Sequence, residues 1–271
     1  MRLRRKINIL VVLFVLLLPS LGMARVSIPS GLTYEKDAQV GGSYRGSIQL
    51  LNPGEDPQEV KVYQSDYLFY ADGSNSYGEP GKDVRSNADW ISFSPRRLII
   101  PAGGSVQVAY IVDVPSDQVL TGTYWSLLLV EGISASSPEA GNGAKGVISV
   151  GIQQIMRYGL QMITNIGNTG THSLKFVKTK ILKTDGKRIL QIDLENTGER
   201  WLRPILWTEL YDEKNNSVGK FEGEQLRIYP TTSARFKIDL SQVPKGTYKA
   251  LVVADAGGDD MFGANYTLKF D

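Results

Sequence analysis

The sequence predicts an all-β protein, and two features of its residue pattern lead to that prediction. Short segments rich in Val, Ile, Tyr and Thr alternate apolar with polar residues, which is the side-chain period of a strand. Turn-forming triplets such as Asn-Pro-Gly, Ala-Gly-Gly and Asn-Thr-Gly separate these segments. No segment of about ten residues or more carries the 3.6-residue period of an amphipathic helix, so we expect the regular structure to be strand.

The predicted strands follow one another through the chain with turns between them. They span 26–34, 44–51, 58–66, 91–99, 105–114, 123–133, 146–163, 173–183, 188–195, 203–211, 226–229, 234–240, 247–254 and 263–270.

The first 24 residues are predicted to be a secretory signal peptide that is cleaved after about Ala24. Four basic residues lie among the first six, an apolar run follows, and the small residues Gly22 and Ala24 mark a cleavage site. The apolar run is shorter than the roughly 20 residues that a membrane-spanning helix needs, and no later segment approaches that length. An uncleaved membrane anchor is the alternative interpretation of this segment.

The chain that remains after cleavage is slightly acidic. The sequence has 30 Lys and Arg against 28 Asp and Glu, and four of the basic residues lie in the predicted signal peptide, which leaves 26 against 28 and a net charge of −2. Nucleic acid is therefore not an expected partner, because phosphate binding depends on a basic surface. The chain has no Cys, so we expect its domains to be stabilised by hydrophobic cores and not by disulfides.

Three short sequence landmarks occur twice in the same order, which indicates a tandem repeat of a whole domain. They are Asn-x-Gly-Glu beginning at Asn52 and Asn196, a turn beginning at Pro101 and Pro230, and Gly-Thr-Tyr beginning at Gly122 and Gly246. We therefore predict two domains, 25–164 and 165–271, each an immunoglobulin-like β-sandwich of about seven strands. The polar stretch 71–90 is predicted to be an insertion between two strands of the first domain, and a short linker is predicted near 163–171.

The segment 146–162 is the strand most suggestive of function. Ile148, Val150 and Ile152 alternate with Ser149, Gly151 and Gln153, so one face of the strand is apolar. A basic residue, Arg157, lies further along the same strand, and a loop rich in Gly, Ser and Ala precedes the whole segment. This pattern predicts an exposed edge strand that pairs with a partner protein.

Taken together, the order of these features resembles the periplasmic pilus-assembly chaperones, the PapD-like family. The most specific part of the resemblance is 101–162, where a strand, a Pro, the Gly122 strand, a variable loop and the long alternating strand follow in order. In that family this last strand is donated to a fimbrial subunit that lacks a strand of its own, a case of β-augmentation. The resemblance implies a periplasmic protein whose partner is a secreted fimbrial or coat-type subunit, with an outer-membrane usher as a further partner.

The resemblance also assigns roles to individual residues. Ile148, Val150 and Ile152 would be the donated side chains, and Arg157 would anchor the C-terminal carboxylate of the subunit. The family usually pairs this basic residue with an arginine on the first strand. Here 26–34 contains neither Arg nor Lys, so either a flanking cation, Arg25 or Lys36, takes that part or the anchor is incomplete.

Structural interpretations are preferred for the other conspicuous residues. The four Trp residues are predicted to pack in cores or between domains. The acidic segment 255–260 is predicted to be a turn between the last two strands, with a calcium site as the alternative. A lone histidine, His172, in a chain without Cys offers neither a transition-metal site nor a nucleophile–base pair, so no enzyme, metal or cofactor is expected.

Two other classes of function stay open. One is a structural or adhesive immunoglobulin-like surface protein without a client, in which the strand at 146–162 is covered by its own domain or by another copy. The other is carbohydrate binding through exposed Trp or Tyr, which glycan binding would test.

Overall fold

The computed structural model describes residues 26–133, 155–184 and 186–270, and in these ranges the regular structure consists of strands and one short 3-10 turn (Ala88–Trp90). The all-β prediction is therefore confirmed. The first strands are β1 (Thr33–Ala38), β2 (Ser43–Leu51), β3 (Gln58–Phe69), β4 (Asn75–Gly78), β5 (Ile91–Ser94), β6 (Arg97–Ile100), β7 (Ser105–Asp113), β8 (Gly122–Ile133) and β9 (Arg157–Ile166). The remaining strands are β10 (Leu174–Thr184), β11 (Lys187–Asn196), β12 (Ile205–Tyr211), β13 (Ser217–Gln225), β14 (Ser233–Asp239), β15 (Gly246–Asp255) and β16 (Met261–Phe270).

The first nine strands form a sandwich of two sheets. One sheet has the order β1-β9-β8-β3-β4, with β6 also paired to β3, and the other has the order β2-β7-β5. Inward-facing aliphatic side chains of both sheets, such as Ile48, Leu128 and Leu160, are completely buried between them. The period-two alternation of β2 and β7 in the sequence corresponds to this buried face.

The last seven strands form a second sandwich with its own core. Its sheets are β10-β11-β14 and β13-β12-β15-β16. Leu190, Phe236 and Val252 are completely buried between them. Each sandwich thus encloses one hydrophobic cluster, as expected of immunoglobulin-like packing.

The repeated Asn landmark has the same structural role in both sandwiches. The amide of Asn52 donates to the carbonyls of Asp56, Ile100 and Pro101, and its Oδ1 accepts from the backbone N–H of Gly54. The amide of Asn196 likewise donates to Arg200 O and Ile228 O, and its Oδ1 accepts from Gly198 N. Both side chains are buried and satisfy backbone groups that the adjoining turn leaves unpaired, which explains why the motif occurs twice.

The first strand lies further along the chain than predicted. The segment 26–34 is mostly irregular, with a single bridge between Ser27 and Leu51, and β1 begins only at Thr33. The chain therefore contacts the sheet of β2 first and then crosses to pair with β9. An apolar pattern alone could not locate this change of sheet.

The predicted strand 91–99 is two strands that belong to different sheets. β5 pairs with β7, whereas β6 pairs with β3. Pro95 lies between them and has no N–H to contribute to a ladder, so a continuous strand cannot pass through this point.

Two other strands differ from the prediction. The strand expected at 226–229 is only a bridge between Leu202 and Ile228, and the strand beside β12 is β13. The polar stretch 71–90 contains β4, which pairs with the end of β3 to form a hairpin.

At the predicted linker, β9 continues to Ile166 and the connection to β10 spans 167–173. No helix in the described residues is long and apolar enough to span a membrane.

Candidate functional site

The predicted donor face lies outside the described residues. Ile148, Val150 and Ile152 fall within 134–154, and the predicted signal peptide falls within 1–25, so neither has a structural description here. Arg157 is described, and it is the first residue of β9.

β9 is paired on both sides along its second half only. It runs antiparallel to β8 from Arg157 to Ile166, and parallel to β1 from Gln161 to Ile166. Within the described ranges, no strand pairs with the β1 side of β9 from Arg157 to Leu160. This four-residue stretch is the open edge of β9.

The main-chain groups at the open edge can be assigned from the hydrogen bonds around it. Gln161 N donates to Leu32 O at 2.8 Å, on the β1 side, while Met156 O accepts from Gly132 N, on the β8 side. Because successive residues in a strand direct their N–H and C=O groups to opposite sides, Gly159 and Arg157 direct theirs toward the open edge. They are the groups that an added strand would bond.

Arg157 is part of a charged cluster on β3, β8 and β9. Its Nε lies 2.5 Å from Oε2 of Glu131, which also accepts a hydrogen bond of 2.7 Å from the Tyr63 hydroxyl. Lys61 Nζ lies 3.1 Å from the other oxygen of Glu131. Burial of the Glu131 carboxyl acts to raise its pKa, but the hydrogen bonds from Tyr63, Lys61 and Arg157 outweigh burial and hold the pKa below its ordinary value.

This cluster bears on the predicted role of Arg157. The Arg157 side chain is 50% exposed, whereas that of Glu131 is 8% exposed. A carboxylate arriving from solvent would therefore share the guanidinium with Glu131. The anchoring role of Arg157 stays a prediction, and Glu131 is a partner that sequence reasoning did not identify.

Sequence reasoning also did not predict a second polar cluster, which lies around Glu35 at the junction of the two sandwiches. Glu35 lies on β1, and its carboxylate accepts hydrogen bonds from Asn165 Nδ2 at 2.9 Å and from Trp201 Nε1 at 2.8 Å. Arg227 Nη1 lies 3.2 Å from the other oxygen, and its guanidinium stacks 3.8 Å from the centroid of the Trp201 ring. The first strand thus carries a carboxylate, and the cation beside it is supplied by the second sandwich.

Aromatic side chains form the apolar part of this junction. Trp125 of β8 stacks on Tyr229 of the second sandwich, with ring centroids 4.1 Å apart and planes 12° apart. Phe69 packs edge-on against both rings, and Ile163 of β9 is completely buried beside them. The Tyr229 hydroxyl donates to Gln161 Oε1 at 2.8 Å, and burial raises the pKa of Tyr229 to about 12.

The insertion 71–90 reaches the second sandwich at two points. Ala71 N donates to Ser233 Oγ at 2.9 Å. Arg85 donates to Thr121 O at 2.6 Å and lies 3.1 Å from Glu199 Oε1. The Thr121 hydroxyl also donates to Glu199, and this bond, together with the others, lowers the pKa of the Glu199 carboxyl. The stretch 71–90, which was predicted to be an insertion, therefore also connects the first sandwich to the second.

Three of the four Trp residues and the acidic segment lie where the structural interpretations expected, whereas Trp207 belongs to neither core and not to the junction. Trp90 is buried in the first core, and Trp125 and Trp201 contribute to the junction. Trp207 is half-buried, with Lys220 Nζ 4.2 Å from its ring centroid. The acidic segment is the turn between β15 and β16, where Asp260 Oδ2 lies 2.6 Å from His172 Nδ1.

Comparison with protein-family models and with curated proteins finds no match. Solved structures do match along most of the chain. The chaperone–tip adhesin complex of CFA/I fimbriae biogenesis matches with 13% identity and a TM-score of 0.48, over 89% of this chain and 98% of that one. In fold, the chain resembles the PapD-like fimbrial chaperones.

Two further structures show the same likeness. The CsuC–CsuE chaperone–tip adhesion subunit pre-assembly complex of Acinetobacter baumannii matches with 14% identity and a TM-score of 0.45, covering 89% of this chain and 98% of that one. The E. coli chaperone DraB matches with 13% identity and a TM-score of 0.40, covering 89% and 97%.

Proposed function

We propose that this protein is a chaperone that receives an incomplete β-sandwich subunit along the open edge of β9. The observation that carries the proposal is the pairing of β9, which has β8 on one side and an unoccupied edge from Arg157 to Leu160 among the described residues. Immediately upstream in the sequence lies the alternating apolar face of Ile148, Val150 and Ile152. An open edge next to an apolar face is the combination that β-augmentation uses.

Binding requires no covalent chemistry. Main-chain hydrogen bonds along the edge are independent of the sequence of the client, while the alternate apolar side chains enter the unfilled core of the client. Burying three aliphatic side chains at about 1.5–3 kcal/mol each supplies roughly 5–9 kcal/mol before ordering costs. Completion of the client's core by its permanent partner would then release the chaperone.

The remaining parts of the proposal follow from the sequence. The signal peptide at 1–24 directs the protein to the periplasm, where fimbrial or coat-type subunits pass on their way to the surface. An outer-membrane usher is the proposed acceptor of the loaded chaperone. Arg157 is proposed to hold the C-terminal carboxylate of the client while it remains in contact with Glu131, because a guanidinium can bond carboxylates through more than one nitrogen.

The test compares two double variants of the same strand. Val150→Asp with Ile152→Asp places two charges on the donor face, and Ser149→Asp with Gln153→Asp places two charges on the opposite face. Each variant is co-expressed in the periplasm with the secreted β-rich proteins encoded beside its gene. Client recovery with the chaperone is quantified by mass spectrometry.

We expect the donor-face variant to lose client recovery at least about tenfold, because each buried charge is costly in an apolar groove. The control variant is expected to recover client as the natural protein does. Equal recovery with both variants would overturn strand donation. Absence of any secreted client with the natural protein would favour the structural or adhesive alternative.

A further inference from the structure

The second sandwich is closed along one lateral seam and open along the other. At the closed seam, β13 lies directly against β14, since a Cβ added to Gly223 would be only 2.6 Å from Lys237 O. At the other seam, the edge strands β10 and β16 of the two sheets leave a groove of about 500 Å³ between them. Both strands pair on one side only among the described residues.

The groove has an apolar floor. Phe176 and Ile181 of β10 and Tyr266 of β16 are half-buried there and pack against the second core, and Leu268 is buried beside them. Side chains of a partner could therefore remove further apolar surface from water by entering the groove.

The rim of the groove is basic. Lys178 and Lys180 of β10 and Lys269 of β16 are exposed along it, and none of the described residues that line the groove is acidic. None of the ion pairs between described residues includes Lys178 or Lys180. The eleven residues of β10 contain four lysines and no carboxylate.

Lysines on an edge strand also discourage pairing between copies of the same protein. The same charges that repel another basic edge attract an acidic one, so a device against aggregation can also select a partner. A flat edge strand that carries lysines would protect against aggregation but would offer no recess for a partner. The recess between β10 and β16, with its apolar floor, provides contacts that protection from aggregation does not require.

We propose that the groove between β10 and β16 binds an extended segment of a partner protein in which acidic residues alternate with apolar ones. The segment adds as a strand to the free edge of β10, its apolar side chains contact Phe176, Ile181 and Tyr266, and its carboxylates lie at Lys178 and Lys180. The groove belongs to the second sandwich, so it is separate from the open edge of β9 and can be tested independently of the proposed client site.

The test uses fluorescein-labelled peptides of about nine residues, a length that spans about 30 Å when extended and matches most of β10. One peptide alternates Glu with Val, a second alternates Lys with Val, and a third alternates Glu with Ser. Each is titrated with the full chain lacking the signal peptide, and anisotropy is recorded at about 20 mM and about 200 mM salt. Vesicles of phosphatidylglycerol and of phosphatidylcholine are titrated in parallel.

The variants are Lys178→Glu with Lys180→Glu, and a matched control, Lys214→Glu with Lys245→Glu, at exposed positions outside the groove. We expect the Glu–Val peptide to bind best, to weaken with salt, and to lose affinity about tenfold or more in the groove variant but not in the control. Hydrogen exchange of β10 amides in the unmodified protein should slow when this peptide is bound.

Three results would overturn the proposal. Binding of the Glu–Val peptide that is unchanged by the groove variant would place its site elsewhere. Equal binding of the Glu–Ser peptide would mean that charge alone is recognised. Binding of phosphatidylglycerol vesicles without binding of the peptide would indicate an anionic membrane surface.

Discussion

Among single residues, Glu35 connects β1 both to β9 and to the second sandwich. Its carboxylate accepts from Asn165 of β9 and from Trp201 and Arg227 of the second sandwich. A strand residue with these partners has no local signature, because the partners lie far along the chain and meet only when both sandwiches are folded. The sequence could show only that the predicted first strand, 26–34, lacks a basic residue, whereas the observed β1 includes Lys36.

Glu35→Ala is expected to destabilise the protein by about 1–3 kcal/mol, because it leaves the donors of Trp201, Asn165 and Arg227 without their acceptor. Urea denaturation followed by Trp fluorescence measures the loss. Glu213→Ala, at an exposed turn, is the matched control and should leave the midpoint unchanged. Indistinguishable midpoints for the two variants would contradict the role given to Glu35.

The environment of Glu131 predicts how the stability of the folded protein depends on pH. Its pKa in the folded protein lies below the ordinary value of 4.5 because Tyr63, Lys61 and Arg157 bond the ionised form more than burial disfavours it. A depressed folded pKa contributes stability that is fully present above about pH 4.5 and is lost as the pH falls through the folded value.

Glu131→Gln should therefore lower stability at pH 7 by about 1.5–3 kcal/mol, as for a hydrogen bond to a charged group. Below pH 4 the difference from the natural protein should shrink. Thermal unfolding across this pH range measures both effects. A difference that stays constant down to pH 3 would mean that the ionised form of Glu131 is not what the cluster stabilises.

At the scale of elements, the sequence pattern located the strands that bury one regular face and missed those that do not. β2 and β7 alternate clearly and were predicted close to their observed bounds. β13 contains two glycines and three charged residues, so it has little strand propensity, and its pairing to β12 is what makes it a strand. β1 is a short, half-exposed edge strand, and only its partner β9 fixes where it begins.

The loop after β4 depends on one buried carboxylate. Asp66 at the end of β3 accepts from the backbone N–H groups of Gly81, Lys82 and Asp83, and from the hydroxyl of Ser86. This arrangement holds Arg85 where it can reach Glu199 of the second sandwich.

Asp66→Ala is expected to cost about 1–3 kcal/mol and to loosen the loop, because several buried donors lose their acceptor. Amide hydrogen exchange should accelerate over 81–86, with β2 and β7 exchanging as before. Asp117→Ala, an exposed position, serves as the control. Unchanged exchange over 81–86 in the Asp66 variant would show that other contacts hold the loop.

At the scale of the whole molecule, the sequence pattern predicts only some of the contacts that join the two sandwiches. The repeat predicted two units, and the continuous apolar run in β8 is typical of a strand buried on both faces. One face packs in the first core, and Trp125 on the other face stacks on Tyr229. The sequence could not say which surface covers the second face, because Tyr229 lies in the segment 226–229, which was predicted to be a strand but forms only the bridge between Leu202 and Ile228.

Tyr229→Ala should weaken the junction. It removes a side chain that is 1% exposed, for which large-to-small changes cost about 3–5 kcal/mol, and it frees Trp125 on one side. Small-angle scattering should show a larger radius of gyration, and proteolysis should accelerate at 167–173. Tyr211→Ala, on β12 away from the junction, should show neither change, and an unchanged scattering profile for Tyr229→Ala would mean that Glu35 and Arg85 hold the junction without it.

The most direct test of the central claim is amide hydrogen exchange of the protein with and without its client. If a client adds as a strand to the open edge of β9, exchange should slow at Arg157 and Gly159, whose N–H groups face that edge, and in the segment upstream that carries Ile148, Val150 and Ile152. The amides of Gln161 and Ile163 already face β1 and should change little. Protection confined to other surfaces, with Arg157 and Gly159 exchanging as in the free protein, would contradict strand addition at β9.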